Sequence, residues 1–268
     1  MKLSWFAGSL SALALAAGLV FTGAGTAHAT EQSAPTGYVA LGDSYSSGLG
    51  AGGYYADSGT CKRSARAYPA LWAAAHAPAS FAFTACSGAR TGDVLSKQLG
   101  PLNASTGLVS ISIGGNDAGF ADTMTACVLG SDRSCLERVA QARAYIQNTL
   151  PAQLDTVYSA ISAKAPAARV VVTGYPRFYQ LGGGCAVGLS EAKRSAINDA
   201  SDHLGTVTAK RAADHGFAYA DVRSTFAGHE LCSGSPWLNS VTLPVEESYH
   251  PTAAGQSGGY LPAFASAA

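Results

Sequence analysis

The chain has 268 residues, with 17 Lys plus Arg balanced by 17 Asp plus Glu. With no net charge and no basic run it offers nothing to hold a polyanion, so nucleic acid is excluded as an expected partner. Without an export leader, about 240 residues remain, enough for one domain with a large core.

The start of the chain reads as that leader. Met1-Lys2 is followed by an apolar run over residues 10–21 and by Ala27-His28-Ala29, a small-x-small pattern. This is a secretory signal peptide, residues 1–29, cut after Ala29. The run is too short and too rich in Gly and Ala for a membrane span, and no later stretch is long and apolar enough for one. The mature chain, residues 30–268, is expected to be secreted, without a transmembrane segment, as a single-domain monomer.

Residues 30–37 read as a loose N-terminus and 38–41 as a buried strand. The strand runs into Gly42-Asp43-Ser44-Tyr45-Ser46-Ser47-Gly48, a turn of small residues. A glycine-rich loop leads to a helix over 68–75, with Pro69 in its first turn. A second strand, 81–84, ends at Ala85-Cys86-Ser87-Gly88-Ala89-Arg90 and precedes a short helix, 91–99. A third strand, 108–113, meets Gly114-Gly115-Asn116-Asp117. From Leu136 to Ile161 the apolar positions keep a helical period that Pro151 kinks or splits. A fourth strand, 169–173, a helix from Ser190 to His215 stopped by Gly216, and a fifth strand, 217–222, follow. A loop holds Cys232, and Tyr249-His250-Pro251 precedes a helical tail.

Five strands alternating with helices predict an α/β fold, a three-layer α/β/α sandwich around a mostly parallel five-stranded sheet. The crevice of such a fold lies beyond the carboxyl ends of its strands. Ser44, Gly88 and Asn116 each follow a predicted strand, so three separate turns converge on one rim. A serine held out there, with backbone N–H groups beside it and a base within reach, has what a nucleophile needs.

All six cysteines lie in the mature part, and export places them in an oxidising compartment. Of the fifteen pairings that six cysteines allow, proximity along the chain favours Cys61–Cys86, Cys127–Cys135 and Cys185–Cys232. No Cys-x-x-Cys or His-Glu-x-x-His pattern occurs, so neither a metal site nor a cofactor is expected.

Gly42-Asp43-Ser44-Tyr45-Ser46, Gly88, Gly114-Gly115-Asn116-Asp117 and His250-Pro251, in that order, resemble the blocks of the SGNH (GDSL) hydrolases. The similarity runs from about residue 38 to the C-terminus, and the exported, cysteine-rich form looks most like the secreted Streptomyces lipases and phospholipases of that family. The resemblance implies a flavodoxin-like fold and ester hydrolysis through an acyl-serine. It makes Ser44 the nucleophile and His250 the general base. It gives an oxyanion hole of the Ser44 and Gly88 N–H groups and the Asn116 side-chain amide. Many members carry Asp three residues before the histidine; here that position is Glu247. Either Glu247 or the backbone carbonyl of Ser248 is left to orient His250, and the carbonyl, making a Ser–His dyad, is favoured.

The expected substrate is a lipid or small ester: triacylglycerols, phospholipids or shorter esters. The alternatives are deacetylation of carbohydrate and a non-catalytic exported binding module. Ser190-Glu191-Ala192-Lys193 matches the Ser-x-x-Lys of another serine-enzyme class, but its partner motifs are missing. Asp43 reads as a turn-fixing residue. His76, His203, His215 and His229 read as surface or helix-end residues, and Arg90 and Arg177 as solvated. Tyr54, Tyr55, Phe120, Tyr175 and Phe178 are candidates to line an acyl groove.

Overall fold

The apolar run around Val39 forms β1 (Gly37–Gly42) in the computed structural model, which describes residues 36–185 and 188–268. The expected signal segment lies outside the described residues. β2 (Ser80–Phe83), β3 (Thr106–Ser112), β4 (Arg169–Thr173) and β5 (Ala218–Ala220) complete a parallel sheet in the order β2-β1-β3-β4-β5. Ile111, Val171 and Val172 are fully buried, as strands covered on both faces require. The order reverses between β1 and β3, which puts the crevice beyond their carboxyl ends.

β5 is shorter than the expected 217–222, because Asp221 turns to accept the N–H of Arg223 and ends the ladder. A single turn of helix, α1 (Ser44–Ser47), follows β1, and α2 (Tyr68–His76) carries Pro69 near its start. α3 (Thr91–Asp93) continues into a wide turn, Val94–Gln98. After β3 come α4 (Phe120–Leu129), α5 (Asp132–Asn148) and α6 (Leu150–Lys164). The long helical period from Leu136 is thus split at Thr149, where Pro151 sits in the first turn of the second helix and its missing N–H costs nothing. α7 (Glu191–Asp214) precedes β5, and α8 (Leu261–Ala267) closes the chain.

α2 packs on α8, while α5 packs on α4, α6 and α7. Tyr38 of β1 stacks on Phe81 and Phe264 and meets Trp72 edge-on, which ties the sheet to α2 and α8. Disulfides join Cys61 to Cys86, Cys127 to Cys135 and Cys185 to Cys232. Closing such loops contributes about 2–4 kcal/mol each. The second links α4 to α5, and Lys193 of α7 reinforces it by donating to the carbonyls of Cys127 and Gly130 at the C-terminal end of α4. No described helix is long and apolar enough to cross a membrane.

Candidate active site

β1 ends on Gly42, whose φ of 122° lies outside the range of most side chains, and a Cβ there would stand 2.5 Å from the Ser112 carbonyl oxygen. Only glycine lets β1 and β3 stay this close where the chain leaves the sheet. The buried amide of Gln98 clamps the same residue twice, accepting from its N–H at 2.7 Å and donating to its carbonyl at 2.9 Å. The chain then turns sharply into α1. Asp43 is the N-cap: its carboxylate accepts from the Tyr45 N–H at 3.0 Å, from the Ser112 hydroxyl at 2.6 Å and from the Tyr175 hydroxyl. Ser44 is the first residue of α1, where a backbone N–H has no partner within the helix.

His250 comes from a long irregular stretch between β5 and α8, and three contacts fix it. Asn239 exchanges backbone hydrogen bonds with it, donating to the His250 carbonyl and accepting from the Tyr249 N–H, both at 2.9 Å. The Tyr45 hydroxyl donates to the Tyr249 carbonyl at 2.7 Å. Tyr249 itself sits at φ 64°, a left-handed conformation costly for a tyrosine, of the order of 1–3 kcal/mol. The result is a linear relay. Nε2 of His250 lies 2.8 Å from Oγ of Ser44, and Nδ1 lies 2.9 Å from the Ser248 carbonyl oxygen. That carbonyl can only accept, so Nδ1 carries the proton and Nε2 is left as the acceptor for the serine hydroxyl.

Glu247 points elsewhere: its carboxylate accepts from the Tyr54 hydroxyl at 2.6 Å, and the Tyr54 oxygen in turn accepts from the Gly50 N–H. Burial pushes the His250 imidazole down to about 4, against hydrogen bonds to the Ser248 and Glu246 backbone. Burial likewise pushes Asp43 up to about 6, against the hydrogen bonds from Ser112, Tyr175 and Tyr45. At neutral pH the histidine is therefore an unprotonated base.

Asn116 follows β3 and lines the same crevice as Ser44. One of its amide hydrogens goes to the Ala89 carbonyl at 3.0 Å, which orients the group, and among the described residues no acceptor meets the second. Gly88 lies on the turn after β2, and among the described residues no acceptor meets its N–H. Asp117 ties these two turns together, accepting from the Thr91 N–H at 3.1 Å and the Thr91 hydroxyl at 2.6 Å.

Behind Ser44 the crevice runs between α4, α5 and α7, with Phe120, Met124, Ala142, Ile146, Phe178 and Leu204 among its walls. It holds about 630 Å³ of space, counting the part open to solvent. Of the aromatics expected there, Phe120, Tyr175 and Phe178 line it, while Tyr54 belongs to the Glu247 contact and Tyr55 is exposed.

The remaining candidates sit elsewhere. Ser190 caps α7 and Lys193 caps α4, so the Ser-x-x-Lys match is structural. His76 stacks on Trp72, His215 pairs with Asp155, His229 stacks on Trp237, and Arg177 pairs with Asp202 at the surface. Among the described residues no cluster of His, Cys, Asp and Glu is placed to hold a metal ion. Gln98, Asn239 and Gln256 were not legible as site residues. Each is a single polar residue whose partner is distant in the chain; Gln256, for instance, donates to the Tyr45 carbonyl and accepts from the Tyr68 N–H.

The chain is similar to known proteins along nearly its whole length. Lipase 1 of Streptomyces coelicolor is 71% identical over 262 residues, 97% of each chain. The crystal structure of an extracellular lipase from Streptomyces rimosus superposes with a TM-score of 0.85 at 72% identity, over 87% of this chain and all of that one. That of phospholipase A1 from Streptomyces albidoflavus gives 0.86 at 64% identity, over 88% and 100% of the two chains. The GDSL-like lipase/acylhydrolase family profile matches residues 40–257, and with relatives this similar along nearly the whole length the chain belongs to that family.

Proposed function

We propose that the protein is a secreted carboxylic-ester hydrolase acting on acyl lipids, triacylglycerols and phospholipids, through an acyl-Ser44 intermediate. Residues 1–29 serve as its export leader and 30–268 as one catalytic domain. The observation that carries the reading is the relay from the Ser248 carbonyl through His250 to the Ser44 hydroxyl, at 2.9 and 2.8 Å, at the head of an apolar crevice.

The chemistry follows from that geometry. Nε2 of His250 takes the Ser44 proton as Oγ attacks the ester carbonyl carbon. The oxygen of that carbonyl becomes negative and is met by the N–H groups of Ser44 and Gly88 and by the free amide hydrogen of Asn116. These neutral donors stabilise the charge without a counter-ion. The imidazolium is held by its Nδ1–H to the Ser248 carbonyl, so a neutral acceptor takes the place of a carboxylate. Return of the proton to the alkoxide releases the alcohol. A water then repeats the attack on the acyl-serine, with His250 again as base, and the carboxylic acid leaves. The engagement of Glu247 by Tyr54 supports the dyad over a triad.

The apolar walls favour an acyl chain over an acetylated sugar, whose hydroxyls would face Phe120, Met124 and Ile146. The extracellular lipase and the phospholipase A1 among the similar structures support the same substrate class. A fluorophosphonate should label Ser44. A panel of p-nitrophenyl esters, a triacylglycerol, a phosphatidylcholine and an acetylated sugar then tests the substrate. Turnover of the acetylated sugar with none of either lipid would overturn the assignment, and absence of labelling would remove the serine mechanism.

A further inference from the structure

Eight large apolar side chains are exposed among the described residues, and three of them fall within five positions: Val241 at 58%, Leu243 at 89% and Val245 at 67%. Scattered exposed apolar residues are ordinary, but a run of this kind on one loop is not. Its place in the fold is the informative part. The Ser248 hydroxyl accepts from the Thr242 N–H at 3.0 Å, and the Ser248 carbonyl holds His250. The apolar loop is therefore fastened to the residue that orients the base.

The charges around the loop indicate what kind of surface it meets. Glu246 is exposed, Glu247 is held by Tyr54, and Lys62 lies over the Tyr54 ring at 5.4 Å. Residues 241–247 themselves carry two carboxylates and no cation, so the loop's own charge does not attract an anionic surface.

We propose that the loop of residues 241–245 is an anchor that inserts into a neutral or zwitterionic lipid surface and holds the catalytic crevice against its substrate. The inference rests on the acyl-lipid reading of the site and names the physical state in which that substrate is met. Apolar side chains seated at the boundary between headgroups and acyl chains bind by the area they bury. The anchor acts on residence at the surface and leaves the chemical step untouched.

Binding is measured by co-sedimentation with phosphatidylcholine vesicles in a Ser44→Ala background, where the lipid is not consumed. The double variant Leu243→Ser/Val245→Ser should weaken binding about tenfold or more. With Ser44 restored, it should turn over soluble p-nitrophenyl acetate within about twofold of the parent, while hydrolysis of an emulsified triacylglycerol falls about tenfold. Independently, Leu243→Trp should shift its fluorescence to the blue when vesicles are added. Unchanged binding by the double variant, no spectral shift, or binding that requires an anionic lipid and disappears in salt would each overturn the anchor. The two readings fail separately. A chain that binds vesicles through this loop yet hydrolyses neither lipid refutes the substrate class alone. One that hydrolyses lipid while the double variant binds and acts as the parent does refutes the anchor alone.

Discussion

Ser44 and His250 reach the same point from very different supports. Ser44 leaves the sheet between two central parallel strands, on a turn gripped by Gln98, Ser112 and Tyr175. His250 ends a run of irregular chain more than twenty-five residues beyond β5, held by the Asn239 pairing and one tyrosine hydroxyl. Ser44 is fixed by the fold itself, and His250 by a strap of irregular chain. Displacement of a few tenths of an ångström should therefore arise at the histidine first, and variants of the strap should change turnover more than stability.

The largest effects test whether both ends of the relay are needed. Ser44→Ala and His250→Ala should each lower kcat on a soluble ester by about 10⁴-fold or more, with the double variant no worse than either, since the two act as a unit. On the proposed oxyanion role, Asn116→Ala should cost about 10²–10³-fold in kcat with KM little changed, since such an amide meets charge that exists only in the transition state. A loss seen mainly in KM would argue for ground-state binding instead.

The pH profile reads the burial of the histidine. Its protonated form is disfavoured, so the base persists as pH falls until about 4, and the acid limb of kcat/KM should lie well below 6.5. At pH 5 a histidine with the ordinary value would retain only about one-thirtieth of its unprotonated form, so measurements at pH 5 and 7 separate the cases. Stability carries two opposing contributions. The folded protein binds fewer protons at His250 than the unfolded chain between about 4 and 6.5, so this contribution is present above that window and lost as pH falls through it. Asp43, raised from 3.8 to about 6, binds more protons when folded, so its contribution is present at low pH and lost as pH rises through that range. Where the windows overlap the slopes oppose. Asp43→Asn should unmask the histidine's, visible as a steeper fall of Tm on acidification.

Smaller effects probe the strap. Tyr45→Phe removes the hydroxyl that holds the Tyr249 carbonyl and should lower kcat about tenfold, with the acid limb unmoved and Tm reduced only slightly. Glu247→Gln should leave activity within about threefold of the parent, since the amide can still accept from Tyr54 and the carboxylate does not touch the imidazole. A loss as deep as that of His250→Ala would restore Glu247 as a third catalytic member.

The same contrast explains what could be read from the residues alone. The strands, their parallel order and the turns bearing Ser44, Gly88 and Asn116 are encoded locally, in apolar runs that end on glycines. The split near Pro151 and the early end of β5 depend on single residues whose effect is decided by packing, and only the first was visible in the pattern. Of the strap, only the stretch from Glu247 to Pro251 is legible. Asn239 and Gln98 act by pairing with backbone 11 and 56 positions away, and no periodicity marks such residues. Asp117 is visible as part of its block, but its clamp on Thr91 is not, because that contact crosses between two strand ends.

The Cys61–Cys86 bridge bears on when the site is finished. It fastens the turn that carries Gly88 to the loop after α1, where the Ser87 N–H also donates to the Cys61 carbonyl at 3.0 Å. Thiols stay reduced in the cytoplasm and close only in an oxidising compartment. This covalent buckle is therefore drawn tight only after export, so the turn that carries Gly88 is secured once the chain is outside the cytoplasm.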